Sequence, residues 1–371
     1  MSIEVRPISA EEHLGFVADR GSASFLQTPA WGKVKPEWRS EAVGFFDGGE
    51  LTGVGLVLYR QLPKLRRFLA YLPEGPVLDW GRADVDEHLR ALVAYAKTKR
   101  AFAVRIGPTL VHRRWYADTI KAAVADDAVT RLSQAAPDAT DLVATRLRNT
   151  LLHGGWSTDE HGAGFAAGQP MFNFQLPLRH ADGSQKTEDE LLKGMNQLWR
   201  RNIKKAAKEG VVVRLGERAD LARFHDVYRE TAERDGFTGR SLAYFETMWD
   251  ALNAEEDGRM RLYLSEHDDD LVAATTMVRV GEHAWYSYGA SSNAKREVRG
   301  SNAIQWQMIR DAAAAACAVY DLRGITEGVG ADDPEIGLIQ FKVGTGGEAV
   351  AYLGEWDYPI NKALYAAFML Y

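Results

Sequence analysis

A weak internal repeat constrains this chain more than any other feature of its sequence. An apolar strand, Leu51 to Tyr59, is followed by the turn-like stretch Tyr71-Leu72-Pro73-Glu74-Gly75-Pro76, an amphipathic helix from His88 to Lys99 and a strand from Phe102 to Ile106. At an offset of roughly 215 to 220 residues the order recurs as Leu271 to Val280, Trp285-Tyr286-Ser287-Tyr288-Gly289-Ala290, a helix from Asn302 to Ala318, and Tyr320-Asp321-Leu322-Arg323-Gly324. That period far exceeds the about 20–50 residues of stacked repeats, so two copies of one mixed α/β unit are predicted rather than a solenoid. A duplicated unit leaves a cleft between its halves, and ligand sites favour domain interfaces.

Composition agrees with two ordinary folded domains. The chain has 371 residues, 46% of them apolar and 26% charged. Its only cysteine, Cys317, falls in the predicted helical run Asp311 to Val319 and reads as a buried, inert thiol. No disulfide can form within the chain, and a cytoplasmic protein is expected. No charged-then-apolar leader is evident, and no window approaches the about 18 apolar residues of a membrane span. The formal net charge of −6 argues against coating nucleic acid in bulk, while leaving room for a local basic patch.

The longest well-signalled helix is predicted from Thr187 to Gly210. Thr187-Glu188-Asp189-Glu190 matches a capping box, Leu192, Met195, Trp199, Ile203 and Ala206 form one apolar stripe, and Gly210 fits the C-terminal cap. Its other face carries Arg200, Arg201, Lys204, Lys205 and Lys208, which serve either as a solvated helix end favoured by the dipole or as a phosphate-binding row. A second helix is predicted from Ala219 to Arg234, and a third from Ser241 to Leu252, with Arg240 and Tyr244 one turn apart at its entrance.

No P-loop, GxGxxG, GxSxG, HExxH or paired CxxC is present, and the nine histidines are scattered. No metal or cofactor is therefore expected. The half-repeat is similar to the unit of coenzyme A-dependent acetyltransferases, but Arg296-Glu297-Val298-Arg299-Gly300-Ser301-Asn302 breaks the spacing of their pyrophosphate loop, which argues against an acyl-CoA donor. The segment Gly337 to Glu348 reads as a short apolar element, ending in Phe341 and Lys342, that breaks into a Gly-rich turn where backbone can approach a ligand.

Six short segments occur in an order shared by one family: Gln27 to Lys35, Pro73-Glu74-Gly75-Pro76, Arg200 to Ala206, Arg234-Asp235-Gly236-Phe237, Tyr320 to Gly324 and Phe341-Lys342-Val343-Gly344. On these the chain resembles the Fem peptidyltransferases (FemABX), in a short, FemX-like form without a helical arm. The resemblance implies an α/β (α+β) fold of two tandem acetyltransferase-like (GNAT-type) domains with a cleft between them. The first would comprise residues 1–165 with 349–371 and bind the precursor, and the second residues 166–348.

It further implies transfer of an amino acid, glycine first, from aminoacyl-tRNA to the side-chain amine of a lipid-linked or nucleotide-linked peptidoglycan precursor. Lys35, Arg240, Tyr244 and Tyr286 or Tyr288 would bind the precursor, with Asp79 orienting it. Lys342, beside Phe341, would stabilise the oxyanion or hold the tRNA terminus. Arg200, Lys204 and Lys208 would contact tRNA phosphates. Where relatives carry Asp-Pro after the first domain's strand, this chain has Gly107-Pro108, so no general base is assigned. The resemblance places a monomer in the cytoplasm, at the inner face of the membrane if the Arg60 to Tyr71 stretch, with Lys64, Arg66 and Arg67, touches anionic lipid. That stretch is otherwise a solvated hairpin or a tRNA contact. Two alternatives share these features: a tRNA-dependent transferase acting on a protein or small metabolite, and a non-catalytic RNA- or phosphate-binding protein.

Overall fold

A computed structural model describes residues 3–158 and 168–370 of the chain. They form two compact units, one of residues 1–114, 137–172 and 350–371, the other of residues 115–136 and 173–349. The boundary expected at residue 165 lies outside the described residues. Residues 115–136, expected with the first half, group with the second unit.

The first unit is a twisted sheet in the order Glu4–Pro7, Arg39–Asp47, Glu50–Gln61, Phe68–Leu72, Ala101–Ile106, Trp356–Pro359. Its neighbours are antiparallel except Phe68–Leu72 and Ala101–Ile106, which run parallel. A parallel pair needs a crossover, and the helix Val85–Thr98 supplies it. That helix turns Leu89, Leu92, Val93 and Ala96 into a core shared with Val43, Phe45, Val57 and Tyr59 of the sheet.

The second unit repeats the plan. Val212–Gly216, Met260–His267, Asp270–Val280 and His283–Ser291 are successively antiparallel. Val319–Gly324 joins parallel to His283–Ser291 after the crossover helix Gly300–Ala314, and Phe172–Pro177 pairs antiparallel with its other side. In each unit three antiparallel pairings precede one parallel pair and one further antiparallel strand, so the predicted mixed α/β class with an internal repeat is borne out. Among the described residues no helix is long and apolar enough to cross a membrane.

Two helix predictions need correction. The Thr187 to Gly210 helix is two, Glu188–Gly194 and Gln197–Lys208, because Met195 and Asn196 adopt extended backbone and the Asn196 side chain caps the second by accepting from the Trp199 N–H at 2.9 Å. The break re-phases the buried stripe to Leu191, Met195, Trp199 and Ala206, leaving Leu192 and Ile203 half-buried. The capping box at Thr187 and the positive φ of Gly210, 83°, are as expected. Cys317 lies beyond its helix, which ends at Ala314; Ala316 turns left-handed at φ 57° and delivers the chain into Val319–Gly324. The thiol is nevertheless fully buried, and burial pushes its pKa up, which suits an inert role.

Candidate functional site

The expected site residues fall into separate groups, and each is built by its own local structure. In the second unit the helix Ile336–Val343 presents Ile339, Lys342 and Val343 to the interior while Phe341 stays half-buried. The following Gly-rich turn does not wait for a ligand. A Cβ at Gly344 would lie 2.2 Å from the Trp199 ring, one at Gly346 2.3 Å from the Gly194 carbonyl oxygen, and one at Gly347 2.4 Å from the Gln175 carbonyl oxygen. The glycines let this turn close against its own protein, which corrects the reading of backbone open to a ligand.

Lys342 is 3% exposed. Its Nζ donates to the carbonyl oxygens of Gly324 at 2.7 Å and Arg323 at 3.3 Å. Burial pulls its pKa down to about 7; Asp321 and Glu335 act in the opposite direction, and Arg323 adds to the depression. A lysine so placed changes charge near neutrality, which an exposed lysine does not.

Phe341 lies on the wall of a cavity of about 410 Å³. Trp199 and Asn202 from the helix Gln197–Lys208 face it, and Arg296, Arg299 and Ser301 line the side where the helix Gly300–Ala314 begins. Arg299 caps that helix in the left-handed conformation, φ 64°. An N-terminus flanked by guanidinium groups is suited to anionic oxygen, and an aromatic wall is suited to a base or an acyl chain. Sequence reasoning set this stretch aside because its spacing broke a known loop; cations immediately before a strongly predicted helix were the signal that it carries.

The row of cations on Gln197–Lys208 is only partly free of structural duty. Arg200 donates to the Lys193 carbonyl oxygen at 3.0 Å, tying the end of one helix to the next, while Lys204 and Lys208 are exposed.

Arg240 and Tyr244 do meet, as their spacing predicts. The Arg240 guanidinium carbon lies 5.3 Å from the centre of the Tyr244 ring, and the Tyr244 and Tyr288 hydroxyls are 3.0 Å apart. Tyr228 and Phe245 pack edge-on against Tyr288. Burial raises the Tyr244 pKa well above its ordinary value, so Tyr244 stays a neutral phenol. A register shift opposite Thr276 and Met277 pairs these neighbours with Tyr288 and Tyr286 respectively, which separates the two tyrosines. Tyr286 instead sets its hydroxyl over Gly289, where a Cβ would lie 1.8 Å away, and burial pushes its pKa up to about 12.

In the first unit Lys35 ends the short helix Pro29–Val34, its Nζ 6.0 Å from the Trp31 ring centre. Asp79 is exposed and accepts from the Gly81 N–H at 3.0 Å, an Asx-type turn. Gly107 packs its backbone against Glu74, and Glu355 reaches within 3.7 Å of where its Cβ would stand. Glu355 is hydrogen-bonded by the Tyr71 hydroxyl, and burial raises its pKa. Among the described residues no cluster of three or more His, Cys, Asp or Glu is arranged to hold a metal ion.

Known proteins resemble this chain over nearly its whole length. Lipid II:glycine glycyltransferases of Staphylococcus epidermidis and Staphylococcus aureus are each 24% identical to the chain, over 430 and 432 aligned positions, covering 98% of it and 94% of the relative. The crystal structure of FemX superposes with a TM-score of 0.80 at 23% identity, covering 98% of this chain and 99% of that one. L-PGS from Bacillus licheniformis shares the fold more distantly, with a TM-score of 0.53 at 9% identity over 98% of this chain and 96% of its own. The FemAB family model matches residues 8–256 and 253–371, so the repeat, the two sheets and the ordered motifs have one explanation: the chain belongs to the FemAB family.

Proposed function

We propose that this protein is an aminoacyltransferase of peptidoglycan bridge synthesis, moving glycine from aminoacyl-tRNA to the side-chain amine of a precursor stem peptide. The names of its staphylococcal relatives support glycyl transfer to a lipid-linked precursor. The observation that carries the tRNA part is the cavity walled by Trp199 and Phe341, with Arg296 and Arg299 at the start of the helix Gly300–Ala314. It combines the half-buried ring of Phe341, seated on Trp199, with cations at a helix N-terminus, the chemistry that the end of a nucleic-acid strand requires.

In this reading the precursor amine attacks the ester carbonyl of the charged tRNA. A C–N bond forms, the C–O bond to the ribose breaks, and the departing oxygen takes up the proton released by the amine. The ester is already activated, so alignment and oxyanion stabilisation supply most of the acceleration. Lys342, in its ammonium form, stabilises the oxyanion. Arg240, with Tyr244 and Tyr288 beside it, binds the precursor diphosphate, and Lys204 and Lys208 meet the tRNA backbone. The protein acts as a monomer in the cytoplasm. The hairpin tip that carries Lys64, Arg66 and Arg67 also exposes Leu65, 47% accessible, a combination suited to an anionic membrane surface.

The test is incubation of the purified protein with lipid-linked or nucleotide-linked precursor and a mixture of charged tRNAs, followed by mass spectrometry. A precursor heavier by one glycyl residue is expected. Labelling of a protein or a small amine instead, or of nothing, overturns the proposal.

A further inference from the structure

The segment Tyr320-Asp321-Leu322-Arg323-Gly324 ends the strand Val319–Gly324 on an unusual backbone. Arg323 is left-handed at φ 62°, a conformation that favours glycine and is strained for a residue with a side chain. Asp321, 1% exposed, holds it there: the Asp321 carboxylate accepts the Arg323 N–H at 2.6 Å, an Asx turn spanning two residues. The other carboxylate oxygen accepts from Gln175 Nε2 at 3.0 Å and meets His283 Nε2 at 3.2 Å. His283 is itself stacked on Trp285, ring centres 4.0 Å apart. The turn delivers the Arg323 and Gly324 carbonyl oxygens to Lys342 Nζ.

We infer that Asp321 is a positioning residue for Lys342, fixing the turn whose two carbonyls grip the lysine and holding a negative charge beneath it. The inference rests on the catalytic reading of Lys342 given above. The turn and the charge are separable contributions. Carbonyl oxygens set where Nζ sits, whereas neighbouring charges set whether it is protonated. The charged groups around Lys342 are Asp321 and Glu335, which favour the ammonium, and Arg323, which opposes it. His283 joins the network through Asp321.

The experiment follows Lys342 itself, in protein labelled with [13Cε]lysine and assigned by loss of one signal in Lys342→Arg. The wild-type resonance should titrate near neutral pH. Asp321→Asn keeps an oxygen for the Arg323 N–H but removes the charge, so the midpoint should fall by about one unit or more. Arg323→Gln removes an opposing cation, so the midpoint should rise. Opposite displacements are not what a merely structural role gives. An unmoved midpoint in both variants, each with a native circular dichroism spectrum, overturns the inference. A midpoint that moves while the pH profile of transfer does not would uphold Asp321 as the partner of Lys342 and defeat the catalytic reading instead.

Where removal of the carboxylate disturbs folding, the turn can be rebuilt without it. Glycine adopts φ 62° freely, so Asp321→Ala/Arg323→Gly should recover about tenfold of the turnover lost in Asp321→Ala. A double variant no better than the single one overturns the positioning role.

Discussion

The indole Nε1 of Trp199 donates to the carbonyl oxygen of Phe341 at 2.8 Å, and the two rings lie 4.7 Å apart. The helix that carries the exposed lysines is thereby fastened to the residue preceding Lys342. Trp199 is 2% exposed, so Trp199→Ala should lower stability by about 3–5 kcal/mol. Trp199→Phe keeps most of the packing and removes the donor, at about 1–3 kcal/mol, and it should also slow transfer by loosening Phe341. Denaturant unfolding and steady-state rates check both. A Phe variant indistinguishable from wild type in stability and rate would show that the bond holds nothing in place.

Arg240 is exposed, and its guanidinium lies against the face of Tyr244, so truncating its side chain should leave the fold intact. Arg240→Ala is expected to raise the KM for precursor roughly 10- to 100-fold, the loss of one or two charge-assisted hydrogen bonds to phosphate. Tyr288→Phe, which removes one hydroxyl from the pair but keeps the ring against Tyr228 and Phe245, should raise it only several-fold. Calorimetric titration with precursor separates the two; equal affinities for wild type and Arg240→Ala would remove Arg240 from the site.

The repeat, both crossover helices, the cap at Thr187, the helix start at Ser241 and the Gly210 stop were legible in the sequence because each follows from local periodicity or local backbone chemistry. The break at Met195 was not, since Asn196 competes with the helix interior only by capping the next turn, and the apolar spacing runs on across it. Nor was the fate of the Gly-rich turn: nothing in Gly344-Thr345-Gly346-Gly347 shows that Trp199, Gly194 and Gln175 fill the space above the glycines. Of the site, the Arg240–Tyr244 contact follows from one helical turn. The partnership of Lys342 with Asp321 depends on how the helix Ile336–Val343 sets its lysine against the end of the strand Val319–Gly324, and periodicity carries no such information.

Lys204 and Lys208 are exposed on their helix, as is Arg201, while Arg200 is engaged with Lys193. Lys204→Gln/Lys208→Gln should therefore raise the KM for charged tRNA and flatten the log–log salt dependence by roughly one and a half to two units. Precursor affinity should not change. Wild-type tRNA kinetics at low and high salt would mark this face as solvated and send the tRNA path towards Lys64, Arg66 and Arg67.

Acid sensitivity of the fold should trace in part to His13. The ring is fully buried in the first unit, and burial pushes its pKa down to about 4, with the Gln27 backbone offsetting only part of the effect. The unfolded chain binds a proton near pH 6.5 and the folded one does not until about pH 4, so this contribution is complete above pH 6.5 and is lost as pH falls between those values. The window is worth about 3 kcal/mol. His13→Met should flatten the stability profile across it, measured by urea midpoints from pH 7 to 4. A variant as acid-sensitive as wild type would place the cause elsewhere.

The strand Ala101–Ile106 is completed on one side by Trp356–Pro359, and the bidentate pair of Arg105 with Asp357, both bonds 2.7 Å, joins residues 252 positions apart. During translation the first unit therefore carries an open strand edge while the whole of the second is being synthesised, a wait of roughly 10–50 s at ordinary elongation rates. The second unit has all of its own pieces once residue 349 has emerged, so the part encoded later is finished first. An unpaired edge of that duration invites pairing with other nascent chains. Slow codons or ribosome pausing between the two halves would lengthen the hazard, whereas rapid passage through the second unit, or a chaperone held on the Ala101–Ile106 edge until Asp357 arrives, would protect the yield of folded protein.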